Sequence, residues 1–190
     1  RSSDLHADAP PRLSRLPLLR TWSEDGGPFV TLPLVYTEHP EGLGGNLGMY
    51  RIQRFSDDTT GLHVQIGKGG GFHYQIAEKK NQALPVTVFL GGPPALILSA
   101  IAPLPENVPE MMLASLIAGE RLKLSEGAWP HPLVANAEFA LIGEVAPHVR
   151  KPEGPFGDHT GYYNAQAMFP VMTIERMRLR RDAIYQGSYM

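Results

Sequence analysis

Twenty glycines and eighteen prolines are spread through these 190 residues, and no other feature limits the fold so strongly. Proline fixes φ and removes a backbone donor, and glycine weakens the interior of any regular element, so strands and helices have to fit between them. The intervals here are short and apolar, which predicts many short strands joined by tight turns rather than a disordered chain. The apolar fraction of 43% supports a core, and the length suits one domain. Cysteine is absent. That removes disulfides, cysteine-based zinc sites and cysteine nucleophiles, and it makes the cytoplasm the expected compartment. A net charge of −2 without a basic stripe points away from nucleic acid. No apolar run reaches the ~18 residues of a membrane-spanning helix. Residues 1–27 open with RSSDLHADAPPRLSRLP, polar and broken by prolines. They read as a linker or a lead-in from a preceding domain of a longer chain.

PFVTLPLVYTEH (Pro28 to His39) is rich in β-formers and reads as a strand. MYRIQRF (Met49 to Phe55) and GLHVQIG (Gly61 to Gly67) flank the turn SDDTT and read as a hairpin. A glycine-rich turn then opens a helix near Phe72, closed by a lysine pair. LPVTVFLGG (Leu84 to Gly92) is an apolar run of strand length. PPALILSAIAP reads as a short helix. PEMMLASLIAG reads as a firmer one, with Pro109 and Glu110 suited to its first turn and Gly119 to its C-cap. RLKLSE, AEFALIGEVA and FPVMTIERMRLRRD read as strands. The pattern predicts an α+β fold with an antiparallel sheet or barrel and a few inserted helices.

Three groups of residues invite chemistry. The glycines of GKGGGFHYQIAE, just before a helix, either cradle a phosphate with backbone N–H groups or form a plain flexible turn. Asn46, His73 and Glu110 each sit at the end of a Gly- or Pro-marked turn. Oxygen donors with one imidazole suit Mn²⁺ or Mg²⁺ better than Zn²⁺, although a lone histidine is more often structural. The third group lies in KPEGPFGDHTGYYN, where Glu153 and Asp158 bracket Gly-Pro-Phe-Gly. Five apart on an ideal strand they would face opposite ways, and the turn residues can fold them towards one space. A cation between them, with Arg51 as the candidate, would keep one ionised while the other holds a proton at raised pKa. The bland alternative is a turn with two solvated acids, with Tyr162, Tyr163 and Phe169 as sheet-face aromatics.

Five blocks carry a resemblance: NLGMYRIQ, KGGGFHYQIAE, PPALILSAIAPLPE, PEMMLASLIAGE and PEGPFGDHTGYYN. In this order they resemble the UbiD family of reversible, non-oxidative decarboxylases that use prenylated FMN, from about Phe29 to the C-terminus. The resemblance implies a split β-barrel like that of flavin reductases over residues 28–190, as the cofactor- and metal-binding middle of a longer chain with a further C-terminal oligomerisation domain. It implies Asn46, Glu110 and, as in part of the family, His73 as ligands of Mn²⁺ (or Mg²⁺), with K⁺ nearby. Met49, Tyr50, Arg51, Gln65, Lys68, Gly69 and Pro103 match cofactor-lining segments. Arg51, Glu153 and Asp158 match a catalytic network in which Asp158 donates the proton and the other two position it. Arg51 is also suited to holding the substrate carboxylate. The implied substrate is an aromatic acid, hydroxylated like the precursors in ubiquinone or menaquinone biosynthesis, or an α,β-unsaturated acid. CO₂, a cofactor-supplying flavin prenyltransferase and further copies of the chain are the implied partners. Membrane association would follow if the substrate is prenylated. The rival readings are a split-barrel FMN oxidoreductase using NAD(P)H and a non-catalytic fragment.

Overall fold

The computed structural model describes residues 7–65, 67, 69–105, 108–125 and 129–189. In chain order the strands are β1 (Ala7–Ala9), β2 (Phe29–Val30), β3 (Leu34–Glu38), β4 (Gly45–Met49), β5 (Ile52–Arg54), β6 (Thr59–Leu62), β7 (Leu84–Leu90), β8 (Leu124–Ser125), β9 (Leu133–Val134), β10 (Phe139–Glu153), β11 (Phe156–Gly157), β12 (Tyr163–Asn164) and β13 (Ala167–Leu179). The helices are α1 (Gly69–Lys79), α2 (Pro94–Ile101) and α3 (Glu110–Ala118), with a 3-10 turn at Leu13–Arg15.

One antiparallel sheet runs in the order β2-β5-β6-β13-β10-β7-β3-β4, with β1 added to β13. It curls around an apolar interior that includes Val30, Val35, Ile52, Leu62, Val86, Val88, Leu141, Met172 and Ile174. The alternate residues of the same strands, Leu34, Tyr36, Leu47, Phe89, Ala140 and Ile142, form a second core on the outer face with Leu96 of α2 and Ala114 of α3. β7 is therefore covered on both faces, which is why LPVTVFL reads as an unbroken apolar run. Helix α1 adds Tyr74 and Ala77 to the first core.

Several expectations shift by a few residues. The strand expected over Pro28 to His39 is two strands, interrupted at residues 31–33, where Pro33 removes a ladder donor. Met49 to Phe55 is likewise split, and Tyr50 and Arg51 fall in the break between β4 and β5. The β5–β6 hairpin forms as expected. α3 starts after Pro109 and ends on Gly119 in the left-handed conformation, φ 70°. RLKLSE yields only the short β8 among its described residues.

Residues 7–27 depart further from the linker expectation. Leu13 and Leu16 are buried in the first core, and Leu19 bridges to Phe29. The prolines keep this segment irregular, but its leucines have apolar partners waiting, and their burial holds it to the sheet. Among the described residues no helix is long and apolar enough to cross a membrane.

Candidate active site

The β5–β6 hairpin builds the site by register. Ile52 pairs with Leu62 and Gln53 with Gly61, and the ladder continues through the His63 N–H to Arg51 O bond of 3.2 Å. Arg51 therefore stands opposite His63, and alternation puts Arg51, Gln53, Gly61 and His63 on one face. Glu153, the last residue of β10, comes down onto that face. Arg51 Nε donates to its Oε1 at 3.0 Å, and His63 Nδ1 lies 2.6 Å from its Oε2. The Glu153 side chain is wholly buried. Gly61 is needed beneath it, because a Cβ there would press on the Glu153 side chain and on Phe55. Gln53 Oε1 accepts the next N–H, that of Gly154, at 2.7 Å.

The loop after Glu153 is clamped from the other side by Asp25. This buried carboxylate accepts from Gly157 N–H at 2.8 Å, Trp22 N–H at 2.9 Å and Thr21 N–H at 3.0 Å. Gly26 N–H donates to Pro155 O at 2.8 Å. Phe156 lies between Phe29, 4.6 Å away centroid to centroid, and the Arg51 guanidinium, 4.6 Å above its ring.

Asp158 makes its hydrogen bonds apart from the Arg51–Glu153 pair. Its carboxylate accepts from Asn164 Nδ2 at 3.0 Å and from the His159 backbone N–H at 2.6 Å, with the His159 imidazole beside it. These bonds, Asn164 first, hold its pKa below the ordinary value, the opposite of the raised value expected for a proton donor. The cause is topological. The β11–β12 pairing carries Asp158 around a turn closed by Asp158 N–H to Tyr162 O, away from the hairpin face. Tyr162 and Tyr163 are exposed rather than packed on the sheet.

The three candidate metal ligands are drawn to one end of β4. Asn46 pairs across the strand with Thr37, and Thr37 Oγ1 meets His73 Nδ1 at 2.9 Å. Glu110 Oε2 accepts the N–H of Leu47, next to Asn46, at 2.9 Å. Burial lowers the His73 pKa to about 4, so the ring is neutral and, with Nδ1 engaged, keeps Nε2 for a ligand. Asn46 Nδ2 donates to Tyr50 Oη at 3.3 Å, and among the described residues Oδ1 has no hydrogen-bond partner. Gly69 has room for no more than hydrogen, since a Cβ there would fall on Asn46 Oδ1. Among the described residues no three His, Cys, Asp or Glu side chains converge, so the set depends on Asn46. Two oxygen donors and one neutral imidazole fit a hard divalent cation such as Mn²⁺ or Mg²⁺.

The expected cofactor-lining residues spread out. Tyr50 is buried, and its hydroxyl also accepts Gly70 N–H at 3.2 Å, so this first-turn donor of α1 serves the tyrosine. Met49 packs against the outer core. Gln65 and Pro103 are exposed, and Gly69 is half-buried. Lys68 lies outside the described residues.

The sequence profile described as "UbiD: 3-octaprenyl-4-hydroxybenzoate carboxy-lyase Rift-related domain" matches residues 2–190. The chain belongs to the UbiD family. A Chlamydia pneumoniae protein named as a subunit of 4-hydroxybenzoate decarboxylase is 56% identical over 177 residues, which is 93% of this chain and 30% of that one. The chain thus spans about a third of the length of the curated relatives it matches. Vanillic acid decarboxylase of Sedimentibacter hydroxybenzoicus, in closed form, superposes with a TM-score of 0.94 at 27% identity, over 100% of this chain and 42% of that one. The UbiD-class enzyme HmfF of Pelotomaculum thermopropionicum, in complex with FMN, gives 0.92 at 25% identity, over 98% and 42%. A putative flavin reductase with a split barrel domain, from Shewanella frigidimarina, gives 0.50 at 10% identity over 83% of this chain and 73% of that one, a likeness of fold alone. The α+β split-barrel expectation holds.

The sequence reading missed His63 and Asp25. His63 was legible in principle, because a hairpin turning at residues 56–58 sets Arg51 against residue 63 by simple counting. Asp25 gave no such signal, since Gly157, the partner that ties it to the loop, lies 132 residues away in the chain.

Proposed function

We propose that this chain is the cofactor- and metal-binding part of a reversible, non-oxidative carboxy-lyase that acts on an aromatic acid, hydroxylated like 4-hydroxybenzoate, with prenylated FMN. The observation that carries the reading is the buried Glu153 carboxylate held between Arg51 and His63 on a hairpin face, in a chain of the UbiD family. A wholly buried acid costs several kcal/mol unless paired, and a structural turn has no need of it. FMN in HmfF and the named activities of the relatives support the cofactor and substrate class.

Prenylated FMN, when bound, supplies the electron sink for loss of CO₂, the part of the chemistry that belongs to the cofactor. Asn46, Glu110 and His73 would hold Mn²⁺, which would tie down the flavin phosphate. Arg51 Nε is committed to Glu153, and its terminal nitrogens remain to bind the substrate carboxylate. Asp158, once released by Asn164 and His159 and protonated from water, delivers that proton to carbon and returns to the carboxylate, while Glu153 and Arg51 orient the acid. A positioned general acid contributes on the order of 10²–10⁴-fold. The exposed apolar side chains of α2 and α3, Leu98, Ile101, Met112, Leu116 and Ile117, support assembly with a second subunit.

The test uses the full-length protein co-produced with a flavin prenyltransferase and Mn²⁺. Native mass spectrometry should show prenylated FMN, lost in Asn46→Ala and weakened in Gly69→Ala, whose methyl group displaces Asn46. The loaded enzyme should exchange ¹³C-bicarbonate into 4-hydroxybenzoate or a related hydroxylated aromatic acid. A folded, flavin-loaded protein that exchanges no label into any such acid would defeat the reading.

A further inference from the structure

His63 holds the half of Glu153 that Arg51 leaves free. Arg51 alone balances the buried charge, so charge does not require the imidazole. Geometry does. A carboxylate bonded through Oε1 only can turn about its last bond, and its bare buried oxygen would lose hydration with no bond to replace it. The imidazole is in turn fixed on two sides. Its backbone N–H is laddered to Arg51 O at 3.2 Å, and its ring lies 4.0 Å from that of Phe169, tilted 32°. Phe169 sits on β13 opposite Lys151, two residues before Glu153 on β10. The same two strands thus set both the ring and the carboxylate it meets. At 2.6 Å from a carboxylate oxygen, Nδ1 is the donor.

We propose that His63 is a positioning residue of this site: through Nδ1 it fixes the Glu153 carboxylate and so places the Arg51 guanidinium for the reacting acid. The proposal rests on the decarboxylase reading above. Two variants separate the donor from the ring. His63→Asn keeps a nitrogen donor at the Nδ1 position and removes the ring. His63→Phe keeps the stack on Phe169 and removes the donor.

In the full-length, flavin-loaded enzyme, His63→Phe should lower kcat about 10–100-fold, the loss of one hydrogen bond to a charged group, with KM within about threefold. His63→Asn should recover most of that loss. The reverse order, with Asn the poorer variant, would mean that His63 only packs, and wild-type kcat in both would remove it from the site. A second readout needs no turnover. In ¹⁵N-histidine-labelled full-length protein, a downfield His63 N–H proton resonance should be present and should vanish in Glu153→Gln. An unchanged resonance in that variant overturns the pairing. If the wild-type enzyme shows neither decarboxylation nor exchange, the function reading fails and takes the catalytic role with it. The resonance still decides whether His63 holds Glu153.

Discussion

Glu153 and Asp158 stand five positions apart on one loop, and the fold gives them opposite surroundings. Glu153 ends a long central strand and lands on a hairpin face, wholly buried between two nitrogen donors. Asp158 lies past the β11 strand, in a turn, bonded to its neighbours His159 and Asn164. The first is buried and paired with Arg51 and His63, and local hydrogen bonds hold the pKa of the second below its ordinary value. The pair teaches that two acids in one motif need not share an environment. Under the proposed function the two would divide the labour, Glu153 as the fixed element and Asp158 as the one with bonds to release.

The largest effect should come from breaking the buried side of this comparison. In the full-length protein, Arg51→Met strands the Glu153 carboxylate and should cost about 3–5 kcal/mol of unfolding free energy together with all CO₂ exchange, read by urea denaturation and label incorporation. Unchanged stability would mean that the ion pair does not support the fold, and the contrast with Asp158 would collapse. The half-buried side should behave differently. Asp158→Asn should lower kcat about 10²–10⁴-fold while costing no more than about 1 kcal/mol of stability, since it weakens only the local turn bonds to His159 and Asn164. Retained activity in this variant would move the proton donor elsewhere.

The clamp between the two acids sharpens the contrast. Asp25→Ala strands three backbone donors and should cost about 2–3 kcal/mol, with faster amide hydrogen exchange at residues 155–157 than in wild type. If exchange there is unaltered, the loop is held by Gln53 and the sheet alone.

The smallest effect belongs to a carboxylate far from the site. Glu78 on α1 bonds both terminal nitrogens of Arg150 at 2.8 and 2.9 Å, and this pairing, with lesser help from Tyr74 and His148, lowers its pKa from 4.5 to about 2. A depressed folded pKa stabilises above the unfolded value and loses that contribution as pH falls from about 4.5 towards 2. After solvent screening it amounts to about 1 kcal/mol. The stability gap between wild type and Glu78→Gln should be present at pH 7 and close between pH 4.5 and 2.5. A gap that persists at low pH would assign the effect to packing.

Much of the fold was legible because it is local. The SDDTT turn announces the β5–β6 hairpin, Pro109 and Gly119 bound α3, and the apolar run of β7 reports a strand covered on both faces. The site was legible in part. Arg51 and Glu153 form an ion pair, and Asn46, His73 and Glu110 gather at β4. His63 went unseen because a hairpin can be recognised without counting its register. The lead-in was read as a linker because prolines report lost regularity and are silent about whether Leu13 and Leu16 find a core.

Short-range backbone preferences and ordered motifs act along the chain, so the strand-rich class, the family and the residue types that carry the chemistry are all written in the order of the amino acids. The contrast between a buried, paired Glu153 and a half-buried Asp158 is not written there and came from the way distant segments fold together. Burial and hydrogen-bond partners come from segments about 90 to 130 residues apart, His63 with Glu153 and Asp25 with Gly157. The free energy of a charge depends on those partners rather than on its neighbours in the chain.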